Sequence, residues 1–223
     1  MLSGSERHGQ KRGFTLAELL VSLGILMLIS LAVVQNVAQS RQTQELRSSA
    51  NLVASGLRDL QAQALAARSL KACLVGTVNV SCDLSSAACG GSPCNLTLSP
   101  EAFGMTLITS TSSFTTFADI SSVTGNRRED LAGRELIERS IFPQVRPGMN
   151  AVVIDSLLAD SVSVASSTLT FERQSGSMRI NACLAGGCTP AEANVLQITL
   201  RHLQTQKTKV VLVNAITGRI SVE

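Results

Sequence analysis

The chain has no tryptophan and no tyrosine, and six phenylalanines are its whole aromatic complement among 223 residues. It therefore lacks most of the rings on which single-stranded nucleic acids stack. Histidine is almost as scarce: His8 lies at the extreme N-terminus, which leaves His202 as the only imidazole in the body of the chain able to activate a nucleophile. None of the six cysteines is spaced C-x-x-C, and with so little histidine the common zinc-ligand patterns are missing. No proline precedes Pro93, so no proline kink is expected in the N-terminal part. Gly90-Gly91 and Gly186-Gly187 lack the Lys-Ser/Thr of a phosphate loop. Charged residues are 16% of the chain and the formal net charge is +3, too little for a general polyanion binder. No catalytic residue, metal site or cofactor is expected.

What the sequence does contain is one long apolar run. Leu19–Val34 carries no charge, and only Ser22, Gly24 and Ser30 interrupt its bulky side chains. As a helix, Leu16 to Val37 would measure about 33 Å, enough to cross a bilayer core. Arg7, Lys11 and Arg12 precede it, as expected of the cytoplasmic side of a membrane anchor. A cleaved signal peptide fits poorly, because Glu18 lies within the helix and a helical pattern continues beyond it. Glu18 is the anomaly, since a carboxylate in a membrane segment is costly and usually functional. In a plain anchor it would only snorkel to the membrane surface.

The stretch Gly13-Phe14-Thr15-Leu16-Ala17-Glu18-Leu19-Leu20-Val21, led by Lys11-Arg12, resembles the prepilin signature of type IV pilins and type II secretion pseudopilins. The resemblance implies that a prepilin peptidase cuts after Gly13 and N-methylates the new terminus, Phe14. It also makes Glu18 the assembly residue. The chain is then the substrate of an enzyme and not itself one, and its partners are the peptidase, other major or minor pilins or pseudopilins, and the inner membrane. Met1–Gly13 becomes a leader holding a net +2 of the total +3, which leaves +1 on the mature chain. The physics of Glu18 agrees with that role. In a filament core a lone carboxylate is strongly destabilising, and the α-amine of a neighbour's Phe14 would neutralise it only in the correct axial register, so the pair serves specificity.

Beyond Val37 the helix is expected to continue. Leu46, Ala50, Val53, Leu57, Leu60, Ala64 and Ala67 recur at four- and three-residue steps, forming one apolar stripe, while Arg41, Glu45, Arg47, Arg58, Asp59 and Arg68 fall off it. The pattern predicts one helix from Phe14 to Leu70, about 85 Å long. Its membrane and assembly half would be 14–37 and its amphipathic half 38–70, followed by a periplasmic β-rich head, 71–223. The expected fold class is α+β, and the resemblance makes it a pilin-like fold: a long N-terminal helix packed on an antiparallel sheet.

Strands are expected at Ala72–Val75, Asn95–Leu98, Met105–Thr109, Ala151–Ile154, Ser161–Val164, Ser167–Glu172, Ser177–Asn181, Asn194–Leu203, Lys207–Asn214 and Arg219–Val222. Gln174-Ser175-Gly176 and Ala215-Ile216-Thr217-Gly218 read as hairpin turns. Asn126–Ser140, with its alternating charges, reads as a short surface helix or an ordered insertion. Asp155 and Asp160 are expected to flank a turn. Cys73, Cys82, Cys89, Cys94, Cys183 and Cys188 all follow the apolar run, and an even count among Ser/Gly-rich loops fits disulfides in an oxidising compartment. A Cys183–Cys188 bridge would close a short loop; among the other four the spacing leaves the pairing open.

The tail carries a second resemblance. Arg41 to Arg68, the early Cys73-Leu74, and the ending Lys209-Val210-Val211-Leu212-Val213-Asn214-Ala215-Ile216-Thr217-Gly218-Arg219-Ile220-Ser221-Val222 are similar to the GspH/FimT branch, which holds pseudopilin H of type II secretion and minor pilins. The likeness covers the two ends and hardly reaches Cys82–Asn150. It implies a subunit that initiates or caps a filament. Some members of the branch bind DNA through a Gly-Arg-x-Arg ending. Here the second arginine is Ser221, and Arg201, Lys207, Lys209 and Arg219 are the candidate DNA contacts. Four cations without interleaved aromatics form a weak phosphate footprint.

Overall fold

A computed structural model describes residues 15–75, 78–82, 89, 91–119, 136–142, 144–146, 149–184 and 187–223. The predicted leader with Gly13, together with Phe14 and the stretch 120–135, lies outside them. The chain divides into two compact units, Met1–Arg41 and Gln42–Glu223. It is α+β, with a helix packed against antiparallel sheets.

Helix α1 spans Leu16–Leu65, short of the predicted end at Leu70. The stop is local. Ala67 adopts a left-handed backbone (φ 48°), its N–H donates to the Ala64 carbonyl, and the Arg68 N–H donates to that of Gln63, both at 3.1 Å. This is a Schellman closure built on alanine where glycine is usual, so the ordinary sequence signal for a helix end is missing. A Cβ in that conformation costs about 1 kcal/mol. Ala67→Gly is therefore expected to raise stability by about 1 kcal/mol in chemical denaturation of the detergent-solubilised chain, and an unchanged or lower midpoint would count against this account of the helix end.

The strands follow in order: β1 (Leu70–Val75), β2 (Val78–Ser81), β3 (Leu96–Leu98), β4 (Ala102–Ile108), β5 (Ser113–Asp119), β6 (Leu136–Ile141), β7 (Gln144–Arg146), β8 (Met149–Asn150), β9 (Val152–Ala159), β10 (Val162–Val164), β11 (Ser166–Glu172), β12 (Met178–Leu184), β13 (Gly187–Ala193), β14 (Val195–His202), β15 (Thr208–Asn214) and β16 (Arg219–Val222). One sheet has the order β10-β9-β14-β15-β16 and a second β13-β12-β11-β4-β5-β6, with a small β2-β1-β3 sheet and a β7-β8 pair beside them. Both expected hairpin turns are found, Gln174–Gly176 joining β11 to β12 and Ala215–Gly218 joining β15 to β16. The charged stretch differs from expectation: its end, from Leu136, is not helical but forms β6 against β5.

The core forms where the helix stripe meets the inner faces of the two large sheets. Leu46, Ala50, Val53, Leu57, Leu60 and Ala64 are buried, as the spacing predicted, against Phe103, Met105, Leu157, Ile198, Leu200 and Val211, among others; Ala67, the last member of the predicted stripe, lies past the helix end and is only half-buried. Strand β14 alternates strictly, with Leu196, Ile198, Leu200 and His202 turned inward, the period-2 pattern of a half-buried strand. Strand β9 breaks that alternation through a bulge. Thr199 pairs with Ser156 and Leu200 with Ile154, so Asp155 is the extra residue, and both Ile154 and Leu157 face the core. For this reason the expected break after Ile154 is absent: Asp155 lies inside a continuous strand, and only Asp160 sits at the β9–β10 turn.

Two glycines show how closely the layers approach. A Cβ on Gly56 of α1 would sit 3.0 Å from the Met105 methyl and 3.6 Å from the Phe114 ring. On Gly104 of β4 it would overlap the Phe117 ring and come within 2.9 Å of the Leu169 carbonyl oxygen. At the far edge of the β16 sheet, Arg58 Nη2 donates to the Ile220 carbonyl at 3.0 Å. The helix thus satisfies an edge group that would otherwise be open to a foreign strand, and Arg58, off the stripe and so expected to be solvated or in a side pair, is partnered.

Candidate assembly site at the start of the helix

The helix opens on Thr15-Leu16-Ala17-Glu18. The Thr15 backbone N–H donates to Glu18 Oε2 at 3.3 Å, and the Glu18 N–H donates to Thr15 Oγ1 at 3.3 Å. This reciprocal pair is a capping box, which satisfies two of the donors a helix start leaves open. The acidic side chain also lies at the positive end of the helix dipole. The signal T-x-x-E before an apolar run is visible in the sequence, yet Thr15 is not among the expected site residues.

The polar interruptions of the apolar run are internally satisfied. Ser22 Oγ donates to the Glu18 carbonyl and Ser30 Oγ to that of Leu26, each at 2.8 Å. Such back-bonding hides hydroxyls from an apolar medium. The large side chains of Leu19, Leu20, Val21, Leu23, Ile25, Leu26, Met27, Leu28 and Ile29 are all exposed. No helix among the described residues is long and apolar enough to cross a membrane; the side chains of 32 and 34–39, part of the predicted span, lie outside that description. An uncovered apolar surface of this extent, headed by one carboxylate, is suited to burial in lipid or against like helices.

The described cysteines are oxidised. Cys73 bridges Cys89 and Cys82 bridges Cys94, which resolves the pairing the spacing left open. The two bridges lie side by side and tie the β1–β2 hairpin to the loop before β3. Cys183, on β12, is also disulfide-bonded; the side chain of Cys188 lies outside the described residues.

Of the candidate DNA contacts, Arg201, Lys207 and Lys209 share the β14–β15 end of the sheet, and Arg219 lies at the other. Arg201 Nε donates to Asp155 Oδ1 at 2.5 Å and its Nη1 to Gln206 Oε1 at 2.7 Å, so its charge is already partnered. Lys209 lies near the start of β15, whereas Arg219 pairs with Asn214 at its end, about 17 Å away along the strand. Lys207, exposed in the turn before β15, shares an end of the sheet with Lys209 but not with Arg219. The four candidates therefore do not form a single patch, because Arg219 stands apart from the other three.

His202 has a structural role that its neighbours in sequence do not reveal. It is fully buried; the Thr205 N–H donates to Nδ1 at 3.3 Å, which leaves Nε2 to donate to Glu45 Oε2 of α1 at 3.1 Å. Glu45, an off-stripe charge expected to be solvated or in a side pair, thus clasps the helix to β14. Asp160 accepts the Asn194 and Val195 N–H groups and acts as a turn cap. On the outer face of the other large sheet, Glu172 and Glu192 flank Arg179 and raise its already high pKa, chiefly through the Glu172 hydrogen bond.

No curated protein and no solved structure matches the chain significantly. Residues 9–34, which contain the capping box and most of the apolar run, match the prokaryotic N-terminal methylation motif, so this chain begins as a type IV pilin-like prepilin begins.

Proposed function

We propose that this protein is a minor pilin or pseudopilin of the GspH/FimT type, a structural subunit that initiates or caps a type IV pilus or a type II secretion pseudopilus. Met1–Gly13 is its leader, removed between Gly13 and Phe14 by a prepilin peptidase that then methylates Phe14. The stretch 14–37 is the membrane and assembly half of the helix, 38–70 its amphipathic half, and 71–223 a head on the periplasmic side of the inner membrane. The pilin-like fold belongs to this reading.

One observation carries it: a lone carboxylate, Glu18, stands at the head of an uncovered apolar helix and is held there by Thr15. Both of its contacts fall on Oε2, which leaves Oε1 available to the Phe14 ammonium of a neighbouring subunit. In the unassembled chain the capping box lowers the cost of keeping the charge in an apolar setting. In the filament the incoming amine would supply the opposite charge, and a wrong register would leave both groups unpaired.

The test is co-isolation. Filaments sheared from producing cells, or pilin complexes crosslinked in the membrane, are expected to contain this protein in small amounts relative to the main subunit. Its confinement to uncrosslinked membrane material would refute the reading, and its recovery as the most abundant subunit would remove the word minor. The DNA-receptor alternative gains no observation, because Arg219 stands apart from the other three cations and Arg201 is already engaged.

A further inference from the structure

The two bridges beside the β1–β2 hairpin bring their sulfurs close to one another. Besides its bond to Cys73, Cys89 Sγ lies 3.9 Å from Cys82 Sγ and 3.9 Å from Cys94 Sγ. The sulfurs of Cys73, Cys82 and Cys89 all lie within 4.8 Å of one another. Four thiolates around a tetrahedral zinc ion, each about 2.3 Å from the metal, stand about 3.8 Å apart. The Cys82–Cys89 and Cys89–Cys94 spacings therefore already match edges of such a tetrahedron, whereas the two bonded contacts must open and Cys94, outside the group that lies within 4.8 Å, must draw nearer to Cys73. Cys73 and Cys89 are buried and Cys82 packs against them as a small cluster separate from the main core.

We propose that Cys73, Cys82, Cys89 and Cys94 form a convertible site: two disulfides when oxidised, and a four-thiolate Zn²⁺ site when reduced. Conversion needs a dithiol or phosphine reductant. Each disulfide accepts two electrons and two protons to give two thiols, and a dithiol donor becomes its own disulfide. Zn²⁺ then displaces the four thiol protons as four Zn–S bonds form. The spacing in the chain, with eight, six and four residues between successive cysteines, hides the site from motif reading because no C-x-x-C pair is present. The fold assembles it by bringing Cys73 of β1 and Cys82, just after β2, against Cys89 and Cys94, which precede β3.

The test uses the full chain in detergent, reduced with a phosphine, freed of reductant without air and titrated with Zn²⁺, or with Co²⁺ as the optical probe. The expected result is a single Zn²⁺ retained per chain against a weak chelator, and a Co²⁺ complex with the intense visible bands and sulfur-to-metal charge transfer of a tetrahedral thiolate site. The oxidised chain should retain none. Cys82→Ser and, separately, the exposed-position variant Cys94→Ser should each weaken Zn²⁺ binding at least tenfold, whereas Cys183→Ser should leave it unchanged; circular dichroism on the same samples reports whether each remains folded. Zinc stripped by the weak chelator, an octahedral Co²⁺ spectrum, a reduced chain that unfolds and binds no metal, or an equal loss in Cys183→Ser would each overturn the proposal.

Discussion

Replacing Glu18 with glutamine is expected to leave the protein in the membrane and remove it from filaments. Glutamine keeps the size of the side chain and can still accept the Thr15 N–H, so the helix start should survive. Membrane insertion should be unchanged or improved, since a neutral amide costs less in hydrocarbon than a carboxylate. What is lost is the negative charge for the neighbouring Phe14 amine. Stranding one member of a buried charge pair costs about 3–5 kcal/mol, so the ratio of filament-associated to membrane-associated protein should fall at least about tenfold. Thr15→Val separates the two roles of the pair: it removes the hydroxyl half of the capping box and leaves the charge, and its effect on that ratio should be much smaller. An unchanged ratio in Glu18→Gln would mean that the carboxylate is merely tolerated in a plain anchor.

The second large effect is expected inside the β-rich unit. Gly104→Val should destabilise the chain by at least about 3 kcal/mol, because its side chain has no direction of escape: the Phe117 ring occupies one side and the Leu169 backbone oxygen the other. Gly56→Ala offers the contrast. Its nearest neighbour is the flexible end of Met105, and an alanine in a helix gains up to about 1 kcal/mol over glycine, so the net change should be close to zero. Denaturation midpoints of the two variants decide the matter, and equal losses would show that the layers are not packed as described.

The contrast between what the sequence discloses and what it conceals has physical causes in particular residues. The stripe Leu46–Ala64 was legible because a helix buries one face at a fixed period, and all six of its members from Leu46 to Ala64 are buried. Strands β14, β15 and β16 were legible for the same reason at period two. Strand β5, Ser-Phe-Thr-Thr-Phe-Ala-Asp, was not expected, because a Ser/Thr-rich stretch reads as a loop until its partners are known. Its register against β4 is a long-range fact. Strand β9 was read as ending at Ile154 because a bulge at Asp155 shifts the period by one residue. The helix end was placed too late because alanine, not glycine, closes it.

At the candidate site the balance differs. Thr15 and Glu18 act within one helical turn, so their geometry follows from the local sequence, and the motif at residues 9–34 is a local pattern of the same kind. The Glu45–His202 clasp joins residues 157 positions apart, and the sulfur cluster depends on a hairpin folding back on a loop. Neither could be read from spacing. The four basic residues near the C-terminus looked like one patch for the converse reason: closeness in sequence hid the length of strand β15 between them.

The most direct measurement of the central claim is the intact mass of the protein extracted from the membrane of cells with an active prepilin peptidase. The account predicts a chain that begins at Phe14, lacks Met1–Gly13 and carries one added methyl group, and it predicts that Gly13→Leu, whose side chain would meet a peptidase pocket shaped for glycine, retains the leader. A wild-type membrane species of full mass, from Met1 to Glu223, would contradict it.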